Sequence, residues 1–213
     1  MCLIKRTVEE FIIKGYDREN RFKGGVYVVK KVELVPHDKR YAKSMSKLSS
    51  APEVKDALGI SSEQTSLEGT LGFIEFILEE EKAGKQYSRV ILNEKKDVIG
   101  VITLKDIDPV NKSSHMGTWI GHPYWGQGYN ELAKADILYT AFTELSLEYV
   151  FAGAKLSNIR SIKAQEKLPY INIGVNEKFP GEYFKLASLV KEPCILNVIE
   201  KDTFLNWYKE NHK

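Results

Sequence analysis

The chain has 213 residues, 43% of them hydrophobic and 28% charged, with a formal net charge of +2, the profile of a folded globular protein with room for one large core. Lys and Arg are scattered without a basic block or an interleaved aromatic stripe, which argues against nucleic acid. Cys2 and Cys194 are too few for a disulfide framework and sit at no metal-ligand spacing, so no metal and a reducing cytoplasm are expected.

In chain order, MCLIKRTVEEFIIKGYD carries an apolar run too short and too acidic for a signal peptide, and nothing approaches the roughly 20 apolar residues of a membrane span. Thr7 and Glu10 have capping-box spacing ahead of Phe11, Ile12 and Ile13, so a short helix is expected before a linker at Gly24-Gly25. Tyr27–Leu34 reads as a strand that Pro36 ends. Helices are expected over Asp38–Leu48 and Ser66–Ala83, the second with Leu67, Leu71, Ile74 and Leu78 on one face. Val90–Leu92 and Val98–Leu104 flank a charged turn in a hairpin pattern, and His115–Ile120 follows as a third strand.

Past GHPYWGQG the period changes. Leu132, Ala135, Leu138, Tyr139, Phe142 and Leu145 recur at helical steps, predicting a helix over Tyr129–Leu145. Tyr149–Ala154 reads as a short buried strand, Asn158–Leu168 as a helix, Tyr170–Val175 and Tyr183–Val190 as strands, and Lys201–His212 as a closing helix on which Trp207 and Tyr208 dock. The whole reads as an α+β domain with a mixed sheet covered by helices. Its expected limits are a helical extension over 1–25, a main domain over 26–192 and a helical tail over 193–213 packed on it. The extension either caps the sheet or joins two copies into a homodimer.

The chemistry concentrates after His122. A strand ends at Ile120, a loop with Gly126 and Gly128 follows, and a helix starts almost at once. Glycine permits a tight turn and close approach to a ligand. Free N–H groups and the positive end of the helix dipole then make an anion site suited to a diphosphate. A plain strand-to-helix turn is the competing explanation. A dinucleotide reading is weaker, because Glu131 stands where the third glycine belongs and the segment follows a hairpin.

A second motif, NIRSIKAQEKLPY from Asn158 to Tyr170, follows the next strand. The ordered pair of motifs resembles the GNAT N-acetyltransferases, and within them the Rim-type branch that acts on ribosomal-protein N-termini. The resemblance covers roughly Tyr27–Val190 and is strongest over Gly100–Tyr170. It implies a mostly antiparallel sheet of about seven strands whose fourth and fifth strands splay apart around the pantetheine arm of acetyl-CoA. The arm would pair with the fourth strand, Gly117–Gly121, at Trp119 and Ile120. The diphosphate would sit on Gly126, Gln127, Gly128, Tyr129 and Asn130, with Glu131 next. Asn158 would touch the pantetheine or line the acceptor side, and Ser161 would face the thioester sulfur. Arg160, Lys163 and Lys167 are candidates for the nucleotide phosphates, each against the alternative of a solvated face.

The implied reaction moves an acetyl group to an amine, on a small molecule or a peptide N-terminus, by direct attack. An alkyl ammonium has a pKa near 10.4, so a base must remove a proton, and the oxyanion needs aimed donors. The donors are assigned to the backbone of Trp119–Gly121, thiolate stabilisation to Ser161, and the base to Glu177, with His122 as second candidate. Four departures from the family pattern stand out: Trp125 in the loop, Glu131-Leu132 for a Thr-Glu pair, Pro169 for a helix-ending glycine, and Gln165 for a general-acid tyrosine. His115 has no partner visible in the sequence. A rival class is an acyl-CoA-binding regulatory module that lost its base.

Overall fold

The computed structural model describes residues 30–211. The expected N-terminal helix and the first residues of the Tyr27–Leu34 strand lie outside them. Seven strands form one sheet: β1 (Val32–Val35), β2 (Tyr87–Asn93), β3 (Val98–Asp108), β4 (Ser113–Ile120), β5 (Tyr149–Lys155), β6 (Ile171–Asn172) and β7 (Cys194–Glu200). Their order is β1-β2-β3-β4-β5-β7-β6, and every neighbouring pair is antiparallel except β4–β5, which is parallel. The helices are α1 (Ala42–Ser49), α2 (Pro52–Leu58), α3 (Ser62–Thr65), α4 (Leu67–Lys82), α5 (Tyr129–Thr143), α6 (Ile159–Glu166), α7 (Pro180–Val190) and α8 (Lys201–Asn211). The seven-stranded mixed sheet agrees with the expected fold class.

Alternation along the strands divides the core. Ile102, Leu104, Met116 and Ile120 face α5 and α8, while Val90, Val101 and the partly buried Trp119 face α1 and α4. Beyond β5 the second face continues under α7, where Phe151, Leu196 and Val198 meet Tyr183 and Leu186. Helix α8 docks through Phe204, which is fully buried, and through Trp207 and Tyr208, whose rings lie 4.6 Å from Tyr170 and Tyr139.

The structure corrects several sequence expectations. Tyr183–Val190, expected as a strand, belongs to α7: Pro180 starts it, and Tyr183, Leu186 and Val190 keep the inner face at three- and four-residue steps. Its β-prone residues misled because Phe184 and Leu189 point outward, 73% and 71% exposed. Cys194–Glu200, expected within a helical tail, is instead β7, wedged between β5 and β6. The expected strand Tyr170–Val175 shrinks to Ile171–Asn172, cut short by left-handed Gly174. Helices α2 and α3 went unforeseen although their signals were present: Pro52 at the first turn, Gly59 in the left-handed cap, and a Ser61–Gln64 capping box.

A buried polar chain ties the segment just after β1 to β2 and β3. His37 Nε2 lies 2.9 Å from Ser88 Oγ, and Ser88 Oγ lies 2.6 Å from Thr103 Oγ1. Burial, then the Arg89 guanidinium, pushes His37 from 6.5 down to about 4. Between those values the unfolded chain binds a proton that the folded chain refuses. Stability is therefore full above about pH 6.5 and is lost as pH falls toward 4, by on the order of 3 kcal/mol. Melting curves from pH 7 to 4.5 should show a drop in Tm of about 5–10 °C traceable to this residue, and His37→Gln should flatten that slope. Equal slopes for both proteins would refute the assignment.

Candidate active site

Strands β4 and β5 pair over only three positions, Ser113 with Tyr149, Ser114 with Val150 and His115 with Phe151, and then separate. Strand β4 runs on to Ile120 against β3, and β5 runs on to Lys155 against β7. A wedge-shaped opening results. The backbone groups on its β4 side follow from parity. Gly121 N–H donates to Ile99 at 2.8 Å and Tyr149 N–H donates to Lys112 at 3.2 Å. Odd residues of β4 therefore bond β3, and even residues, Met116, Thr118 and Ile120, turn their N–H and C=O toward the opening. This corrects part of the expected oxyanion contact: of Trp119, Ile120 and Gly121, only Ile120 presents its amide there. Trp119 reaches the site by its ring, on the α1–α4 side. Thr118 Oγ1 is buried beside the opening without a hydrogen-bond partner among the described residues.

The opening leads upward to the glycine loop. Gly126 and Gly128 have φ of 70° and 86°, so both sit in the left-handed region that favours glycine. Gly128 is the N-cap of α5, and no side chain caps the helix. Glu131 and Leu132 donate back to the Gly128 carbonyl, which leaves the amides of Tyr129 and Asn130 unpaired among the described residues. Asn130 Oδ1 is likewise buried without a partner. The loop itself is firmly held. Gln127 Nε2 donates to the Pro123 carbonyl at 2.8 Å, the Tyr129 hydroxyl reaches both Glu94 oxygens at 3.1 and 3.0 Å, and Trp125 Nε1 donates to the Ile120 carbonyl at 2.6 Å.

Two cations border the loop. Lys30 Nζ lies 3.0 Å from the Gln127 carbonyl, and the Arg160 guanidinium stacks 3.1 Å over the Trp125 ring, bridging from α6 to the loop. Lys30 was missed in the sequence, since nothing local links the start of β1 to a loop 97 residues away. Lys163 and Lys167 are exposed, and Glu131 is exposed on the first turn of α5.

Among the expected catalytic groups, Asn158 caps α6 by accepting the Ser161 N–H at 3.0 Å. Ser161 Oγ accepts from Gln165 Nε2 at 3.3 Å, so its own hydrogen stays free to donate. Gln165 is a buried bracket whose Oε1 accepts from Asn197 at 2.7 Å. Helix α6 closes with Leu168 N–H on the Gln165 carbonyl at 2.9 Å, a tight final turn in place of a left-handed cap, as Pro169 requires. Glu177 stands exposed on the turn before α7. His122 lies past the end of β4 beside the glycine loop, 3.4 Å from Glu53 and edge-on to Trp125.

Opposite α5, a cavity of about 830 Å³ opens onto β4 at Gly117, Thr118 and Trp119. Met45, Leu58, Ile60, Phe73 and Phe76 make much of its wall, and its charged lining residues are Glu63 and Lys105. Among the described residues no cluster of His, Cys, Asp and Glu fits a metal ion, and no helix is long and apolar enough to cross a membrane.

A family profile described as "Acetyltransferase (GNAT) domain" matches residues 31–170. The chain is 31% identical over 75 residues to YdaF of Bacillus subtilis (strain 168), named as a ribosomal N-acetyltransferase, covering 35% of this chain and 41% of that protein. It is 29% identical over 86 residues to the uncharacterized N-acetyltransferase p20 of Bacillus licheniformis, covering 40% and 48%. The chain thus spans less than half the length of the curated relatives it matches. Among solved structures, the spermidine N-acetyltransferase of Vibrio cholerae in complex with CoA and spermine superposes with a TM-score of 0.64 at 13% identity, covering 82% of this chain and 98% of that one. Mycobacterium smegmatis RimJ in complex with CoA-disulfide gives 0.63 at 16%, covering 80% and 82%.

The cradle at α5 predicts a specific weakness. A β-branched side chain at φ 86° costs on the order of 1–2 kcal/mol or more and redirects the amides. Gly128→Val should weaken CoA binding at least tenfold by calorimetry while the melting temperature falls by only a few degrees. Unchanged affinity would remove the loop from the site.

Proposed function

The chain belongs to the GNAT acetyltransferase family, and on that premise we propose that it transfers an acetyl group from acetyl-CoA to a primary amine in a ternary complex. The observation that carries the reading is the early end of β4–β5 pairing beneath an uncapped helix start. The residues present suit coenzyme A. Its diphosphate matches the free amides of Tyr129 and Asn130 between Lys30 and Arg160. Its pantetheine amides match the inward groups of Met116 and Thr118 and the N–H of Ile120, whose carbonyl is held by Trp125.

The acceptor enters from the other face, through the cavity beside Gly117 and Trp119. Glu63 and Lys105 balance each other in charge there, and the rest of the wall is mainly apolar. A polyamine needs several carboxylates along its length. The cavity instead suits an amine borne on an apolar body, whether a peptide N-terminus or a small molecule. In the reaction, the neutral amine attacks the thioester carbonyl and the C–S bond breaks. The Ser161 hydroxyl donates toward the leaving sulfur. A cytoplasmic setting agrees with the free thiol of Cys194.

Thiol release should occur with acetyl-CoA and peptides beginning in Leu, Phe or Met, or with arylalkylamines, and should be at least tenfold weaker in kcat/KM with spermidine. Ser161→Ala should lower kcat about tenfold with CoA affinity unchanged. CoA binding without release on any amine would favour an acyl-CoA-binding regulatory module.

A further inference from the structure

His115 occupies the last paired position of β4, where the opening begins. Its Nε2 lies 2.7 Å from Glu182 Oε2 on α7, and the two side chains are only 13% and 16% exposed. A carboxylate only accepts, so Nε2 carries the hydrogen and Nδ1 keeps a basic lone pair. Among the described residues nothing is hydrogen-bonded to Nδ1. On the same face of β4 the next residue is Gly117, which has no side chain, and then Trp119 in the cavity wall. Gly117 and Lys105, the neighbours of His115 along β4 and across on β3, both line the cavity, so the cavity ends one residue from the imidazole.

The position matches where the chemistry must fall. From sulfur to phosphorus the pantetheine arm has about thirteen bonds, equal to a little over four extended residues or about 15 Å. Strand β4 rises about 3.4 Å per residue. A diphosphate held past Ile120 thus delivers the thioester to the level of Met116 and Gly117, beside His115, where the inward amides of Met116 and Thr118 are nearer to the oxyanion than that of Ile120. His122 lies at the opposite, diphosphate end.

We propose that His115, oriented by Glu182, is the general base that takes the proton from the acceptor ammonium. The assignment rests on the acetyltransferase reading above. The ammonium gives its proton to Nδ1, and the freed lone pair attacks the thioester carbonyl. The second amine proton follows the departing thiolate, and His115 returns its own proton to water. The products are amide, CoA thiol and one proton.

The surrounding charges fit the task. From β3, Lys105 lies opposite His115, and its Nζ would stand 3.6 Å from a Cβ on Gly117. An ammonium there disfavours a charged acceptor. From α7, Lys185 bonds Glu182 at 2.8 Å, with Asp106 and Asp108 near Lys185. From β5 the neighbour is the Phe151 ring, 5.4 Å away. Burial pushes the Glu182 carboxyl upward, but hydrogen bonds from Lys185 and His115 outweigh it and hold the group ionised, below the ordinary range.

The test measures the full-length protein at pH 7 with an alkylamine acceptor, with CoA affinity measured alongside. His115→Gln should lower kcat about 100-fold with CoA affinity within twofold, and the defect should shrink as pH approaches the amine's own pKa or when the acceptor is an amine already neutral at pH 7. Glu182→Gln, a positioning change, should lower kcat about tenfold and show the same dependence on the acceptor's basicity. A defect equal at every pH and for every acceptor, or none at all, would overturn the role. Absence of turnover in the unaltered protein would instead fail the underlying reading.

Discussion

Everything functional in this fold depends on one interrupted ladder. Backbone groups inside a protein are nearly always paired, because an orphan costs about as much as a lost hydrogen bond. Yet β4 abandons β5 after His115 and presents the even-numbered amides of its second half to an opening. Parallel neighbours allow this: the connection between them runs through α5, so the strands need not stay in register beyond the point where the helix lets them go. A ligand that itself carries amides can complete the ladder. The buried, unpartnered Thr118 Oγ1 beside the opening shows the same incompleteness in a side chain.

The rest of the site is arranged around that wedge. Its wide end is positive and rich in donors, with the start of α5, Lys30 and Arg160. Its narrow end carries a histidine, a carboxylate and two lysines on the proposed acceptor face. The proposed anion cradle and the proposed base thus lie at opposite ends of the second half of β4. Trp125 ties the wide end together, since its indole bonds the last carbonyl of β4 while its ring supports Arg160.

The sequence revealed the wide end far better than the narrow one. Gly126, Gly128 and the helix after them are contiguous, so the glycine turn into the start of α5 was legible, as were the hairpin and the helical period of α5. The effect of Pro169 was legible too, because a proline restricts backbone angles locally. The narrow end is assembled from β3, β4 and α7, whose contact partners lie as far as 67 residues apart. Misreading Tyr183–Val190 as a strand hid Glu182 at the N-terminal turn of a helix, and with it the partner of His115. Asn158 shows a different case: expected at the pantetheine or the acceptor side, it has its side-chain oxygen occupied in capping α6.

A buried histidine, His37, and a partly buried one, His115, flank the proposed acceptor face, and their surroundings differ. His37 connects through Ser88 to Thr103 in the cavity wall, so a proton path exists. Desolvation and Arg89 penalise its charged form, and a group held neutral down to about pH 4 is a poor proton acceptor at neutrality. His115 is nearly as enclosed, but its neighbour is a carboxylate kept ionised by Lys185. That carboxylate holds the ring in the tautomer whose Nδ1 lone pair is the acceptor. Neither histidine lines the cavity itself, and what separates them is the partner: the proposed base is the one oriented by an ionised carboxylate, at the point where β4 and β5 part.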